Sequence, residues 1–163
     1  MQNIKAKIND TNDTTGGYVG SKMYTITLPS VLTTYIIPVF GSHVLEYRNL
    51  LTNSTNTTLI GRYGSARGGT NGWAWQTRKL DLMNENQVYG SMVWSSTGCE
   101  TGSDNIQFPL FRLAPEFVNK QRAWYWLRNV SSSSNFTDVY SQGNSNAPWA
   151  GDIRGVRPYF YID

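Results

Sequence analysis

Apolar residues recur at helical spacing in the first quarter of the chain. Between residues 29 and 40 they fall at every third or fourth position, at Val31, Leu32, Tyr35, Ile36 and Val39. This spacing places them on one face of a helix. Pro29 and Ser30 suit a first turn, and Pro38 limits the length. The pattern predicts one amphipathic helix over about 29–40.

Other elements follow from shorter patterns. Residues 43–51 alternate apolar and polar, which predicts a strand, and a buried element begins at Trp73. A second short helix is expected over 84–93. The stretches 52–72 and 95–105 are rich in Asn, Ser, Thr and Gly, which is typical of loops.

The end of the chain carries a clear alternation of period two. In residues 155–163 one face holds Val156, Pro158, Phe160 and Ile162, and the other holds Arg157, Tyr159 and Tyr161. We expect the first face to be core and the second to display its tyrosines.

Composition sets the fold class and the domain division. Asn, Ser and Thr number 15, 15 and 16 of 163 residues, and such short polar side chains favour turns over helix interiors. We expect an α+β fold with short strands, one or two helices and much ordered loop. Residues 1–22 are interpreted as an N-terminal lead-in arm, and residues 23–163 as the domain.

Charge and cysteine content disfavour several classes of protein. The 14 Lys and Arg against 11 Asp and Glu are scattered rather than clustered, so no nucleic-acid partner is expected. We expect no membrane insertion, because a run of about 20 apolar residues is missing. A single cysteine precludes an internal disulfide and a multi-cysteine metal site. The start lacks the pattern of a secretory signal, so a surface role would need another delivery route, such as assembly into a particle.

Candidates for catalysis are few. His43 is the only histidine, so a Ser/His/Asp triad could form only around it. Cys99 has no nearby basic residue to lower its pKa. The Gly-rich stretch 61–72 lacks the Lys-Ser/Thr ending of a phosphate loop. Asp81 and Glu85 are the closest carboxylate pair. We expect no catalytic residues, no bound metal and no cofactor.

Residues 129–161 have the composition of a binding surface. They mix Tyr and Trp with Ser, Asn and Gly, as paratopes do, and core-like residues between them indicate a rigid scaffold. Arg128 and Arg157 are expected to brace that scaffold by bonding loop carbonyls. The predicted ligand-binding residues are Asn129, Ser131, Ser133, Ser134, Asn135, Thr137, Asp138, Tyr140, Ser141, Asn144, Ser145, Asn146, Trp149, Asp152, Arg154, Tyr159 and Tyr161.

Two motifs carry a resemblance to a known family. The run Trp124-Tyr125-Trp126-Leu127-Arg128-Asn129-Val130, followed by Gly155-Val156-Arg157-Pro158, resembles the C-terminal half of bacterial and phage C-type-lectin-like domains of the formylglycine-generating-enzyme-like branch. The intervening Phe136, Val139 and Gly143 are spaced as in the variable proteins of diversity-generating retroelements. A looser similarity upstream rests on residues 16–18 and 88–91.

The resemblance implies a C-type lectin-like fold with a diversifiable binding face. In that family, Asn codons scatter into the polar and aromatic residues that dominate 129–161. The catalytic cysteines of the enzyme branch are missing here, and so are the Glu-Pro-Asn and Trp-Asn-Asp calcium motifs of animal lectins.

Three functions are compared. The leading hypothesis is recognition of a protein or glycan receptor, by a phage receptor-binding protein in the virion or by a bacterial cell-surface adhesin. The alternative is a structural phage tail component in which the same face joins subunits of a homo-oligomer or a larger fibre. The third is a hydrolase or transferase, which would require His43 to line a deep pocket with Asp or Glu.

Overall fold

The computed structural model describes residues 4–52, 73–95 and 106–163. In these ranges the chain is mixed α+β, as the sequence predicts. Its helices are α1 (Met23–His43), α2 (Glu85–Tyr89) and α3 (Pro109–Leu113), with a 3-10 turn at Pro115–Val118. Its strands are β1 (Lys5–Ala6), β2 (Tyr47–Thr52), β3 (Trp73–Arg78), β4 (Asp81–Leu82), β5 (Tyr125–Val130), β6 (Phe136–Val139), β7 (Ser145–Asn146), β8 (Arg154–Gly155) and β9 (Pro158–Tyr159).

The largest sheet is centred on β5. Its order is β1-β8-β5-β6-β7, with β5 antiparallel to β6 and parallel to β8. Two antiparallel pairs, β2–β3 and β4–β9, complete the described strands. Because β1 pairs with β8, the two ends of the chain meet in one sheet.

The long helix α1 begins six residues before the predicted start and continues through both prolines. It contains π turns at Met23–Thr27 and Leu32–Ile36, and Pro29 and Pro38 each lie in the short α-helical segment that follows one of them. A proline lacks the N–H of a regular helix and crowds the preceding turn, and the wider π turn accommodates both effects. The expectation that Pro29 starts the helix is therefore wrong.

By length and composition, α1 is also long and apolar enough to cross a membrane, a property that core helices of soluble proteins share. Here Met23, Leu28, Val31 and Ile36 are buried in the main hydrophobic cluster. Only 28% of the most apolar window of α1 is buried, and Ile26, Tyr35 and Val39 are exposed, so the contacts with the main cluster account for one stripe of the helix.

The segment expected to form a lead-in arm is part of the core. Ile8 and Tyr18 are fully buried in the same cluster as α1, and Lys5 and Ala6 form β1. The amide of Met23 donates to the Ile8 carbonyl at 2.9 Å. The proposed boundary at residue 22 therefore does not separate two structural units. Residues 1–22 are mostly polar, so their composition did not predict that Ile8 and Tyr18 are buried in the core.

Hydrophobic residues pack on both faces of the β5 sheet. Trp126 belongs to the cluster that contains α1, whereas Tyr125 and Leu127 belong to a second cluster with Val88 and Phe111. Successive side chains of a strand point to opposite faces, so β5 contributes to both clusters and is buried along its whole length.

The end of the chain differs from the predicted single strand. It forms β8 and β9 separately, and Val156 and Phe160 are half-buried against the main cluster. Ile162 is 54% exposed, so its assignment to the core is wrong. It forms only a bridge to Val44, beyond the last strand.

A buried charge connects β2, β4 and β5. The Asp81 carboxylate is fully buried, accepts from the Tyr18 hydroxyl at 2.5 Å and lies 3.7 Å from the Arg128 guanidinium. Asn49 also donates to it, at 3.1 Å. Burial raises the pKa of Asp81, and Arg128, Tyr18 and Asn49 oppose that rise. These three groups favour the charged form of the carboxylate and offset part of the cost of its burial.

A variant without the Arg128 guanidinium should show how much stability the burial of the Asp81 carboxylate costs. We expect Arg128→Met to lower the free energy of unfolding by about 3–5 kcal/mol near neutral pH, because Asp81 is left as an uncompensated buried charge. The measurement is urea unfolding, with Arg112→Met at an exposed arginine of α3 as a control that changes stability by less than about 0.5 kcal/mol.

The pH dependence of that variant has a definite sign. Without Arg128 the folded-state pKa of Asp81 rises further, so the folded state holds a proton that the unfolded state has released. Stability should therefore recover as the pH falls from neutral towards the ordinary carboxyl range. A loss that stays constant over this range would contradict the assignment.

Candidate functional site

A cluster of partly exposed aromatic and charged side chains lies beside strands β8, β5 and β6 of the large sheet. We name it the Trp124 patch, and it consists of Trp124, Tyr140, Asn146, Asp152 and Arg154. The Trp124 and Tyr140 rings stack with centroids 4.8 Å apart, and the Arg154 guanidinium lies 4.2 Å from the Trp124 ring. Stacked aromatic and cation–π contacts of this kind fix side chains that remain partly exposed.

Two glycines allow this arrangement. Gly155 approaches β5 so closely that a Cβ on it would lie 2.8 Å from the Trp124 carbonyl oxygen. Gly143 adopts φ of 93°, which turns the chain between β6 and β7. The Gly143 amide donates to the Tyr140 carbonyl at 2.8 Å and closes that turn. The Tyr140 amide donates to the Asn144 carbonyl, which holds these two residues next to each other.

The charges of the patch form a short network. Arg154 donates from Nε to the buried Asp138 carboxylate at 2.9 Å and from Nη2 to Asp152 at 3.1 Å. Burial raises the pKa of Asp138, and Arg154 opposes this rise. With two carboxylates and one guanidinium the network carries one net negative charge, and Asp152 is its more exposed carboxylate.

A second group of predicted residues lies beside the patch. Asn135 pairs with Trp149 through a β-bridge, and the Asn135 side chain donates to the Ala147 carbonyl at 2.8 Å. The Ser134 carbonyl accepts from the Ala150 amide at 2.9 Å. Trp149 is 59% exposed, and its carbonyl accepts from the Asp152 amide at 2.9 Å, which joins this group to the patch. The remaining exposed or half-buried members here are Ser131, Ser133, Ser141 and Asn144.

Four predicted contact residues are instead buried: Asn129, Thr137, Asp138 and Ser145. Asn129 accepts from the Glu85 amide at 2.8 Å, and Asp138 binds Arg154. Interior side chains present no surface to a ligand, so the sequence-based assignment is corrected for these four. The polar side chains of Asn129, Asp138 and Ser145 form internal hydrogen bonds, which sequence composition does not distinguish from surface display.

Tyr159 and Tyr161 lie apart from the Trp124 patch. The Tyr159 hydroxyl accepts from Asn49 at 2.7 Å and from Arg128 at 3.2 Å, at the end of β5 opposite Trp124. Its ring stacks on Tyr47, and Tyr161 meets both rings edge to face. The structure therefore makes Tyr159 a member of the buried Asp81 network, which corrects its assignment as a ligand anchor.

Sequence reasoning missed Trp94 and its support. The buried Glu85 carboxylate accepts from the amides of Val93, Trp94 and Ser95 and from the Ser145 hydroxyl. Trp94, which is 52% exposed, donates from Nε1 to the Ser145 carbonyl at 3.1 Å. The signal available in the sequence was the apolar run 92–94 before a polar loop. Trp124 was missed as a contact residue because it lies within a core-like run.

The catalytic candidates among the described residues are either exposed or buried within sets of protein donors. His43 is exposed and lies 2.8 Å from the Asp163 carboxylate at the end of the chain. Asp81 and Glu85 are both buried, each within its own set of protein donors. Cys99 and the Gly-rich stretch 61–72 lie outside the described residues.

The two bracing arginines are where the sequence predicts. Arg128 donates to the Leu82 carbonyl at 3.0 Å, and Arg157 donates to the Val118 and Phe117 carbonyls at 2.9 and 3.0 Å. The predicted bonds to carbonyls outside the strands are confirmed for Arg157, whereas the carbonyl that Arg128 binds lies in β4.

Fold and site together define a mixed α+β protein with an exposed aromatic and polar face. Comparison with known proteins found no matching protein-family model, no matching curated protein and no matching solved structure.

The Tyr159 hydroxyl should contribute to stability. We expect Tyr159→Phe to lower the free energy of unfolding by about 1–3 kcal/mol, because the buried Asn49 and Arg128 donors lose an acceptor. The measurement is chemical denaturation, with Tyr35→Phe, at an exposed tyrosine of α1, as the control. Equal stability of the two variants would contradict a structural role for Tyr159 and favour its original assignment as a ligand-binding residue.

Proposed function

We propose that the chain recognises a protein or glycan receptor through the Trp124 patch together with Trp149, as a phage receptor-binding protein or bacterial surface adhesin with a C-type lectin-like fold. The observation that carries this proposal is the exposure of Trp149 and Trp124, at 59% and 37%, on backbone whose carbonyls are hydrogen-bonded by Asp152 and Gly155. Exposed tryptophans on rigid supports supply contact area at low entropic cost.

The neighbouring polar groups support recognition rather than packing alone. Asp152 and Asn146 are half-buried and Asn144 is exposed, so their carboxylate and amide groups are at least partly accessible to a partner. Such a mixture of rigid aromatic anchors and small polar residues is typical of paratopes. The short sheets, the small number of helices and the extensive ordered loops are compatible with the proposed fold.

The test uses a matched pair of tryptophan variants. Fluorescently labelled chain is titrated onto intact bacterial cells and onto a glycan array. We expect Trp149→Ala to weaken binding by at least about tenfold, as loss of an interface anchor does, with unchanged thermal stability. Trp75→Ala removes a tryptophan of similar exposure, 49%, on β3 and should bind like the wild type.

Two results would contradict the proposal. One is equal binding by wild type and Trp149→Ala, and the other is the lack of binding to every cell and glycan tested. A third result, concentration-dependent self-association that Trp149→Ala abolishes in sedimentation experiments, would favour the alternative of a structural tail subunit.

A further inference from the structure

A groove of about 480 Å³ lies next to the Trp124 patch, between the segment 117–125 and the segment 155–157. It shares Trp124 with the patch but is otherwise lined by different residues. Its volume falls in the range of small-molecule sites in proteins. The lining residues are Ile4, Phe117, Asn119, Lys120, Gln121, Ala123, Trp124, Tyr125, Gly155, Val156 and Arg157.

The charge of the groove has one sign. Lys120 and Arg157 are its charged lining residues, and none of the lining residues is acidic. The Lys120 ammonium lies 4.7 Å from the Phe117 ring, which keeps it at the groove wall. Arg157 spans the rings of Tyr125 and Phe111 at 5.0 and 5.4 Å. Two cations without a lining carboxylate favour an anionic group in the groove.

The rest of the lining combines apolar surface with amides. Ile4, Val156 and the Trp124 ring provide apolar area. The exposed Gln121 side chain provides an amide, since the Asn119 amide is bonded within the protein. A carboxylated pyranose matches this combination, because its ring presents C–H groups to apolar surface and its hydroxyls and carboxylate bind amides and cations. An alkyl acid would make no use of the exposed Gln121 amide, and a neutral sugar would make no use of the positive charge of the exposed Lys120 ammonium.

The groove is held in shape before any ligand arrives. Asn119 donates from its side chain to the Tyr140 carbonyl and accepts from the Ala123 amide at 3.0 Å. The Arg122 amide donates to the Asn119 carbonyl at 3.0 Å and closes a turn, in which Arg122 adopts φ of 52°. The Arg157 guanidinium donates hydrogen bonds to the carbonyls of Phe117 and Val118. Binding therefore need not order this segment.

We propose that this groove binds a sugar acid, a pyranose carrying a carboxylate, with Lys120 contacting the carboxylate and Gln121 contacting the hydroxyls. This goes beyond the proposed receptor recognition, since it assigns a separate site and a ligand chemistry to residues outside the patch.

The experiment is an NMR chemical-shift titration of the wild-type chain with glucuronic acid, glucose and acetate. We expect glucuronic acid to bind about tenfold more tightly than either of the others, with shifts at residues 119–124. Raising NaCl from about 0.02 M to about 0.5 M should weaken that binding, because salt screens the exposed ammonium.

Matched variants assign the effect to the groove. Lys120→Gln should lose about tenfold in affinity for glucuronic acid, and Lys120→Arg should keep most of it. Lys79→Gln, at a lysine that does not line the groove, is the control. The proposal is overturned by equal binding of glucose and glucuronic acid, by acetate binding as tightly as glucuronic acid, or by Lys120→Gln binding like the control.

The outcome is independent of receptor recognition. Glucuronic acid binding that requires Lys120, together with unchanged cell binding by Trp149→Ala, would leave the groove assignment standing and remove the proposed function. Weaker cell binding by Trp149→Ala, together with no Lys120-dependent binding of glucuronic acid, would contradict only the groove assignment.

Discussion

A carboxylate in a protein interior requires a cation and hydrogen-bond donors around it, since burial alone disfavours its charge. Asp81 is such a group, and Tyr18, Asn49 and Arg128 surround it. These residues come from the segment before α1 and from β2, β4 and β5. The requirement to compensate one charge therefore fixes elements that are far apart in the sequence. It also fixes β5, on which the order of the large sheet depends.

The strand β5 divides structural and exposed roles between its two ends. Arg128 joins the buried charge network, while Trp124, just before the strand begins, takes part in the exposed patch. The distance between them is four residues, about 13 Å along an extended strand. This separation explains why Tyr159, which bonds Arg128, belongs to the fold, while Tyr140, which stacks on Trp124, belongs to the exposed face. A rigid strand thereby supports an exposed surface without exposing its own core.

The local parts of this arrangement could be predicted from sequence, and the non-local parts could not. Helical spacing found α1, and the bracing roles of Arg128 and Arg157 follow from guanidinium chemistry. Continuation of α1 through its prolines depends on π turns, which have no simple residue signature. Burial of Thr137 and Asp138 depends on strand pairing and on a distant partner, Arg154, so polar composition misplaced both at the surface.

A buried charge network keeps β5 rigid beneath the exposed Trp124 patch, and native-state hydrogen exchange tests this rigidity most directly. The amide of Leu82 donates to the Asp81 carboxylate at 3.0 Å, and the amide of Arg128 donates to the Met83 carbonyl at 2.9 Å. The account predicts that both amides exchange only through global unfolding, with the same free energy as the rest of β5. Exchange of these two amides through local opening, well below the global free energy of unfolding, would contradict it.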